Sequence, residues 1–382
     1  MGPLRGITIV EISGIGPGPF AGMMLADLGA TVIRVERPGG GMFNGVPELD
    51  ILNRGKQCIV VDLKNPAGVD TVLRLLDDAD AIFEGFRPGV IEKLGLGPDV
   101  CLTRNARLVF GRMTGWGQEG PMAQRAGHDI NYIALSGALH PVGLHGQRPT
   151  VPLNLVGDFG GGGLMLALGM VCALLEARQS GKGQVVDAAM VDGSSVLMAS
   201  LFGAVQAGFW REERGSNMVD SGAHFYDTYE TRDGEFMAVG AIEPKFYSQL
   251  IAGLGLTEHD LPEQMDMEQW PYMKDRFASI FRTKTQSEWS EVFDDTDACV
   301  SPVLSMSRVR DHPHNQSRNA YVELDGVYQP NAAPRFSRTS AVVTASTAKL
   351  GEHTRTVLGQ AGLSDAEINT LIEAGAVAEL ES

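Results

Sequence analysis

Short apolar runs alternate with amphipathic stretches through the first third of the chain. Ile7–Glu11, Thr31–Val35, Cys58–Asp62, Ala81–Glu84 and Leu108–Met113 read as buried strands, dominated by apolar side chains. Between them, Gly22–Leu28, Gly68–Leu76 and Val90–Leu94 carry helical spacing. Strands alternating with helices of about ten residues predict a parallel sheet covered on both faces. The expected fold class is therefore α/β, with a Rossmann-like doubly wound sheet over roughly residues 1–190.

Two uncharged stretches follow, Phe159–Leu175 and Gly193–Trp210. Both fall short of the ~20 apolar residues of a membrane span, and Asp187 and Asp192 lie between them. They are expected as helices buried in a core or a dimer interface. After Arg214 the texture changes: Ala223–Tyr229, Phe236–Gly240, a helix from Glu243 onward and Trp289–Phe293 predict a smaller α+β unit. The Pro-bearing stretch Gln329–Ser340 reads as a return to the first domain. The expected division is a large α/β domain over residues 1–200 with 330–382 returning to it, linker helices over 201–224, and a small α+β domain over 225–329.

Charge narrows the possible ligands. The 382 residues hold 47 acidic and 31 basic side chains, a net charge of −16, which argues against nucleic acid and against anionic membrane surfaces. The acid is uneven: residues 1–112 hold 12 basic and 13 acidic side chains, the remainder 19 and 34. Only the first third is electrostatically open to an anion. Cys58, Cys101, Cys172 and Cys299 show no CxxC spacing, which predicts a reducing compartment and neither a disulfide framework nor a structural zinc. The N-terminus has no leader pattern and the terminal Glu-Leu-Glu-Ser no organelle address, so the expected location is cytoplasmic, without membrane insertion.

Several motifs carry candidate chemistry. Gly16-Pro17-Gly18-Pro19-Phe20-Ala21 matches the dinucleotide pattern G-x-G-x-x-G/A, and Glu36 ends the next strand. Pro17 and Pro19, however, remove two N–H groups that a pyrophosphate would need, which favours a tight turn opening a Rossmann-like unit over an NAD site. Arg34, Arg37, Arg54, Lys56, Lys64, Arg87 and Lys93 mostly fall near strand ends, where open α/β sheets bind ligands, and could hold several phosphates. Gly127-His128-Asp129-Ile130-Asn131-Tyr132 and Asn154-Leu155-Val156-Gly157-Asp158-Phe159, the latter followed by four glycines, each set a titratable side chain beside glycine.

Those two segments, together with Val185–Gly193, Val239–Pro244 and Asp297–Val303, closely resemble the class III CoA-transferase family in its α-methylacyl-CoA racemase branch, and the resemblance runs from Gly14 to Arg338. It implies an isomerase of lipid metabolism that inverts the α-carbon of 2-methylacyl-CoA thioesters through an enolate. No metal or redox cofactor is implied, CoA being part of the substrate. His128 and Asp158 map to the base/acid pair and Glu243 to a carboxylate supporting His128. CoA contacts map to Arg37, Val61, Asp62, Leu63, Lys64, Gly85, Phe86, Arg87 and Lys93, and to Gly127, Asp129, Ile130, Asn131 and Tyr132, with Arg54 a further candidate. The glycines after Asp158 are expected to begin a helix whose N–H groups stabilise the enolate oxygen. That helix dipole lowers the Asp158 pKa while desolvation raises it, and the balance is open. The family implies an interlocked homodimer with acyl-CoA as the small-molecule partner. The alternative is a CoA transferase using Asp158 as nucleophile. His128, and Gly240-Ala241-Ile242-Glu243-Pro244 where transferases tend to carry a glycine-rich loop, argue against it.

Overall fold

The computed structural model describes residues 2–40 and 45–380; the outermost residues of both chain ends, read above for targeting signals, lie outside them. The chain separates into two compact units. The first comprises Met1–Ser136, Leu153–Leu197 and His314–Ser382, the second Gly137–Pro152 and Met198–Pro313. The return to the first unit thus comes at His314, ahead of residue 330, and Gly137–Pro152 groups with the smaller unit.

In the first unit, strands β1 (Thr8–Ile12), β2 (Thr31–Glu36), β3 (Gln57–Val61), β4 (Ala81–Glu84), β5 (Val109–Thr114) and β6 (Val185–Ala189) form a parallel sheet in the order β3-β2-β1-β4-β5-β6. A short last strand, Val377–Ala378, adds antiparallel to β3. This is the doubly wound order, with its reversal between β1 and β4. The strands are apolar throughout because both faces are covered. Val10, Ile12, Ile33, Val35, Ile59 and Phe110 pack into one core, while Ile9, Val32, Ala81, Phe83 and Val109 face another across the sheet.

The helices of this unit are α1 (Pro17–Asp27), α2 (Pro66–Leu75), α3 (Val90–Lys93), α4 (Pro98–Arg104), α5 (Asp129–Leu135), α6 (Met165–Ser180) and α7 (Met190–Leu197). A π-helical segment, Leu155–Leu164, runs directly into α6. The combined helix, Leu155–Ser180, is long and apolar enough by length and composition to cross a membrane. Here one face, with Leu166, Ala167, Met170 and Ala173, is buried against β5 and β6.

The C-terminal segment is part of the fold. Arg54, buried, sets Nε and Nη2 on both carboxylate oxygens of Asp27 (3.2 and 2.6 Å). Its Nη1 donates to Gln329 Oε1 (2.9 Å) and to the Pro330 carbonyl (2.7 Å). Thr354 Oγ1 accepts from Val60 N–H and donates to the Ala378 carbonyl.

The second unit holds a three-stranded antiparallel sheet, β7 (Tyr226–Glu230), β8 (Phe236–Gly240) and β9 (Val300–Pro302), with helices α8 (Ala199–Gln206), α9 (Pro244–Gly253), α10 (Trp270–Phe281) and α11 (Gln286–Phe293). Its core is aromatic: Phe225, Tyr229, Trp270, Phe277, Phe281 and Trp289 are buried together. His224 is enclosed among Phe225, Tyr247 and Phe277, with Nε2 2.9 Å from the Tyr247 hydroxyl. Helix α8 buries no residue and leaves Phe202 exposed.

Arg54→Ala leaves Asp27 buried without its partner and should cost about 3–5 kcal/mol in urea unfolding. Burial pulls His224 down from 6.5 to about 4. The unfolded chain therefore binds the proton first, and stability present above pH 6.5 is lost as pH falls toward 4. The loss should be on the order of 3 kcal/mol and should flatten in His224→Gln, measured by denaturant titration at each pH.

Candidate active site

Parallel strands present their carboxyl ends to one edge, and the reversal between β1 and β4 opens a crevice there. Two adjoining cavities of about 700 and 670 Å³ occupy that edge and share Ile12, Gly14, Ile15, Gly16, Pro19 and Phe86. Arg34, Glu36, Arg37 and Val61–Lys64 line the larger; Gly127, His128, Tyr132, Asn154 and Asp158 line the other.

His128 stands exposed immediately before α5, with its N–H on Asn131 Oδ1 (3.0 Å). The next residue, Asp129, is buried and its Oδ1 accepts the Asp158 N–H at 2.7 Å. One carboxylate thus ties the His128 segment to the helix carrying Asp158. Tyr132 donates to the Gly127 carbonyl and meets Trp116 edge-on, holding the turn from behind. At the start of α5, the Asp129 and Ile130 amides have no intrahelical acceptor, as geometry requires of a first turn.

Asp158 is half-buried in the π-helical turn. Asn154 Nδ2 donates to its Oδ2 at 3.2 Å. Burial raises its pKa; the Asn154 hydrogen bond and His128 oppose the rise, and Asp129 adds to it. Desolvation therefore wins over the stabilising contacts. Gly16, at φ 68°, faces the same carboxylate: a Cβ there would stand 3.3 Å from Asp158 Oδ2.

The expected enolate donors at Gly160–Gly163 need correction. The helix begins at Leu155, before Asp158, so these amides lie inside the π-helical ladder, and their open sides are filled by the segments packed against them. A Cβ on Gly161 would come within 2.6 Å of Ser194 N, and one on Gly163 within 2.6 Å of the Pro17 carbonyl. These glycines are packing surfaces.

Of the expected CoA residues, Arg37, Val61, Asp62, Leu63 and Lys64 line the larger cavity, Gly85, Arg87, Gly127 and Tyr132 the other, and Phe86 both. Asp129 lies beneath the site, and Ile130 and Asn131 are exposed on α5. Lys93, exposed on α3, lines neither cavity. Arg54 is a correction: its guanidinium is committed to Asp27, Gln329 and Pro330, so it fastens the returning chain and is not open to a ligand. Glu243 lies in the second unit, exposed at the N-cap of α9. Asn154 and Arg125 also line the smaller cavity without having been singled out. The spacing of Asn154 four residues before Asp158 was the available signal. Among the described residues, no group of three or more His, Cys, Asp and Glu is placed to hold a metal.

The model of CoA-transferase family III matches residues 4–354. The chain belongs to that family. Within family III it is similar to the α-methylacyl-CoA racemase of Homo sapiens, 48% identical over 96% of both chains. It is also similar to that of Mus musculus, 49% identical over 96% of this chain and 95% of the relative. In fold it matches a CaiB/BaiF family crystal structure from Brucella suis, with a TM-score of 0.82 and 24% identity over 94% of this chain and 99% of that one.

Because the Asn154 hydrogen bond holds the Asp158 carboxyl down, Asn154→Ala should raise its pKa further. A carboxyl titration followed by NMR with labelled aspartate reads the shift, and a fall would contradict the arrangement.

Proposed function

We propose that this family III member is an α-methylacyl-CoA racemase, exchanging the proton at C2 of 2-methylacyl-CoA thioesters between His128 and Asp158. The observation that carries this reading is that an imidazole and a carboxyl of raised pKa line one cavity at the sheet's switch point. The near-full-length likeness to two racemases supports it.

The α-proton of a thioester is far less acidic than any side chain, so abstraction needs a base, an acid opposite, and donors for the enolate oxygen. In one direction the His128 imidazole takes the proton while the Asp158 carboxylic acid returns one to the other face. In the reverse direction imidazolium donates and carboxylate accepts. Burial favours the protonated carboxyl that the first direction requires. The amides of Gly160–Gly163, taken up in the π-helical ladder, are not the donors for the enolate oxygen in this reading. Proton transfer between two side chains calls for no metal or redox group in this reading.

The CoA portion is assigned to the larger cavity, where Arg37 and Lys64 offer charge to phosphate. Glu243 remains our proposal for the carboxylate that orients His128. Its side chain makes no hydrogen bond among the described residues. A homodimer is proposed because α8 presents an uncovered apolar face, with Phe202 exposed. The four free cysteines suit a reducing compartment, and we place the protein in the cytoplasm.

The test is incubation of one enantiomer of a 2-methylacyl-CoA in heavy water. Deuterium should enter C2 as optical purity is lost, and His128→Ala and Asp158→Ala should each lower the rate at least about a hundredfold. Turnover that requires an added carboxylate acceptor, without exchange at C2, would make Asp158 a transferase nucleophile and end the racemase reading.

A further inference from the structure

At the carboxyl end of β4, Glu84 is 1% exposed, on a sheet edge otherwise open to the cavities. Such burial of a carboxylate is costly unless its oxygens are satisfied. Here Oε2 accepts the Phe86 N–H at 2.7 Å and Oε1 accepts Arg112 Nε at 3.3 Å. Arg112 sits opposite Glu84 in the β4–β5 register and sends Nη1 to Glu92 Oε1 on α3 at 2.8 Å. The chain from the Phe86 amide through Glu84 and Arg112 to Glu92 therefore spans both ends of the loop Gly85–Gly89. Gln124 Nε2 holds the same loop at the Pro88 carbonyl, 2.9 Å away. Phe86 lines both cavities and Arg87 one of them, while both side chains of this loop lie more open than Glu84 beneath them.

We propose that Glu84 is a positioning residue for the CoA portion of the substrate: through the Phe86 amide and Arg112 it sets the loop that presents Phe86 and Arg87 to the crevice. This rests on the CoA-thioester reading above. Glu84 touches neither the base nor the acid of that reading, so its effect falls on binding and not on the chemical step. Its carboxylate has two donors to satisfy from different directions, and only an anion with two acceptor oxygens serves both. A glutamine at this position turns one amide hydrogen toward either Phe86 N–H or Arg112 Nε, so one contact is always lost.

The same device makes loop geometry sensitive to pH. Burial pushes the Glu84 carboxyl up to about 7; the Phe86 N–H and Arg112 pull it down, and Glu92 adds to the rise. Arg112 and Glu92 are the charged groups facing it, and Asp99 shares with them the cavity on Arg112's far side. Above that pH the anion grips both donors; below it the protonated carboxyl has lost an acceptor, and the hold on the Phe86 end of the loop weakens.

The experiment compares wild type with Glu84→Gln in racemase turnover and in calorimetric binding of 3′-dephospho-CoA, whose pyrophosphate keeps its charge near neutrality. Losing one charge-assisted hydrogen bond should raise KM and the dephospho-CoA Kd about tenfold, with kcat within about twofold. Wild-type affinity should weaken as pH falls from about 8 to about 6, and Glu84→Gln should be weak and flat across that range. If Glu84→Gln fails to fold, Arg112→Lys, with one ammonium for two carboxylates, should give the same rise in KM. Unchanged KM and Kd in a folded variant, or a loss confined to kcat, would overturn the proposal. A wild type that binds dephospho-CoA with the Glu84-dependent step yet racemises nothing would support the loop assignment while removing the racemase reading.

Discussion

The candidate site depends on how closely two stretches of backbone can approach. The turn after β1 passes against the π-helical turn that carries Asp158, and the contact surfaces on both sides are glycine and proline. Gly16 adopts a left-handed φ that side chains avoid, and it does so directly over the Asp158 carboxylate. Gly161 meets the backbone of Ser194, and Gly193 lies against the Gly161 carbonyl. A side chain at either place pushes the helix outward and takes the carboxyl away from the crevice. The glycines that resemble a phosphate-binding fingerprint thus serve chiefly to bring Asp158 to the switch point. Pro17 costs this arrangement nothing, because it enters α1 where an N–H has no helical partner to lose.

Much of this fold is legible in the sequence because parallel strands buried on both faces read as apolar runs. Ala81–Glu84 is an expected strand that the structure reproduces residue for residue, and the fold class follows from the alternation around it. What stays hidden are features that carry no periodic signal. The ladder with five-residue spacing at Leu155–Leu164 has no propensity signature, so the helix start is displaced from the glycines to Leu155. Arg54 reads as one more cation near a strand end. Besides Asp27 it holds Gln329, 275 residues away, and only the folded return of the chain brings those two together. The His128 and Asp158 motifs are legible as residue types beside glycine, but the buried Asp129 linking them is not. Its carboxylate looks like part of the ligand motif, whereas it fastens one catalytic candidate to the other's backbone.

Charge shows the same division more sharply. The near-neutral first third contains enough cations to hold several phosphates, yet four of its twelve, Arg34, Arg54, Lys56 and Arg112, are buried. Lys56 pairs with Glu11 at 2.7 Å, Arg54 with Asp27 at 2.6 Å and Arg112 with Glu84 at 3.3 Å, all buried. Each such pair cancels itself and adds little to the field outside; its role is to fix the position of the backbone that holds it. Arg37, Lys64, Arg87 and Lys93 are exposed and form no ion pair among the described residues. An acidic chain of net charge −16 repels a polyanion at long range, and these few uncancelled cations reverse that only locally. Affinity for a multiply phosphorylated ligand therefore depends on where the loops hold them. The buried pairs, by fixing those loops, govern ligand binding from beneath the surface that touches it.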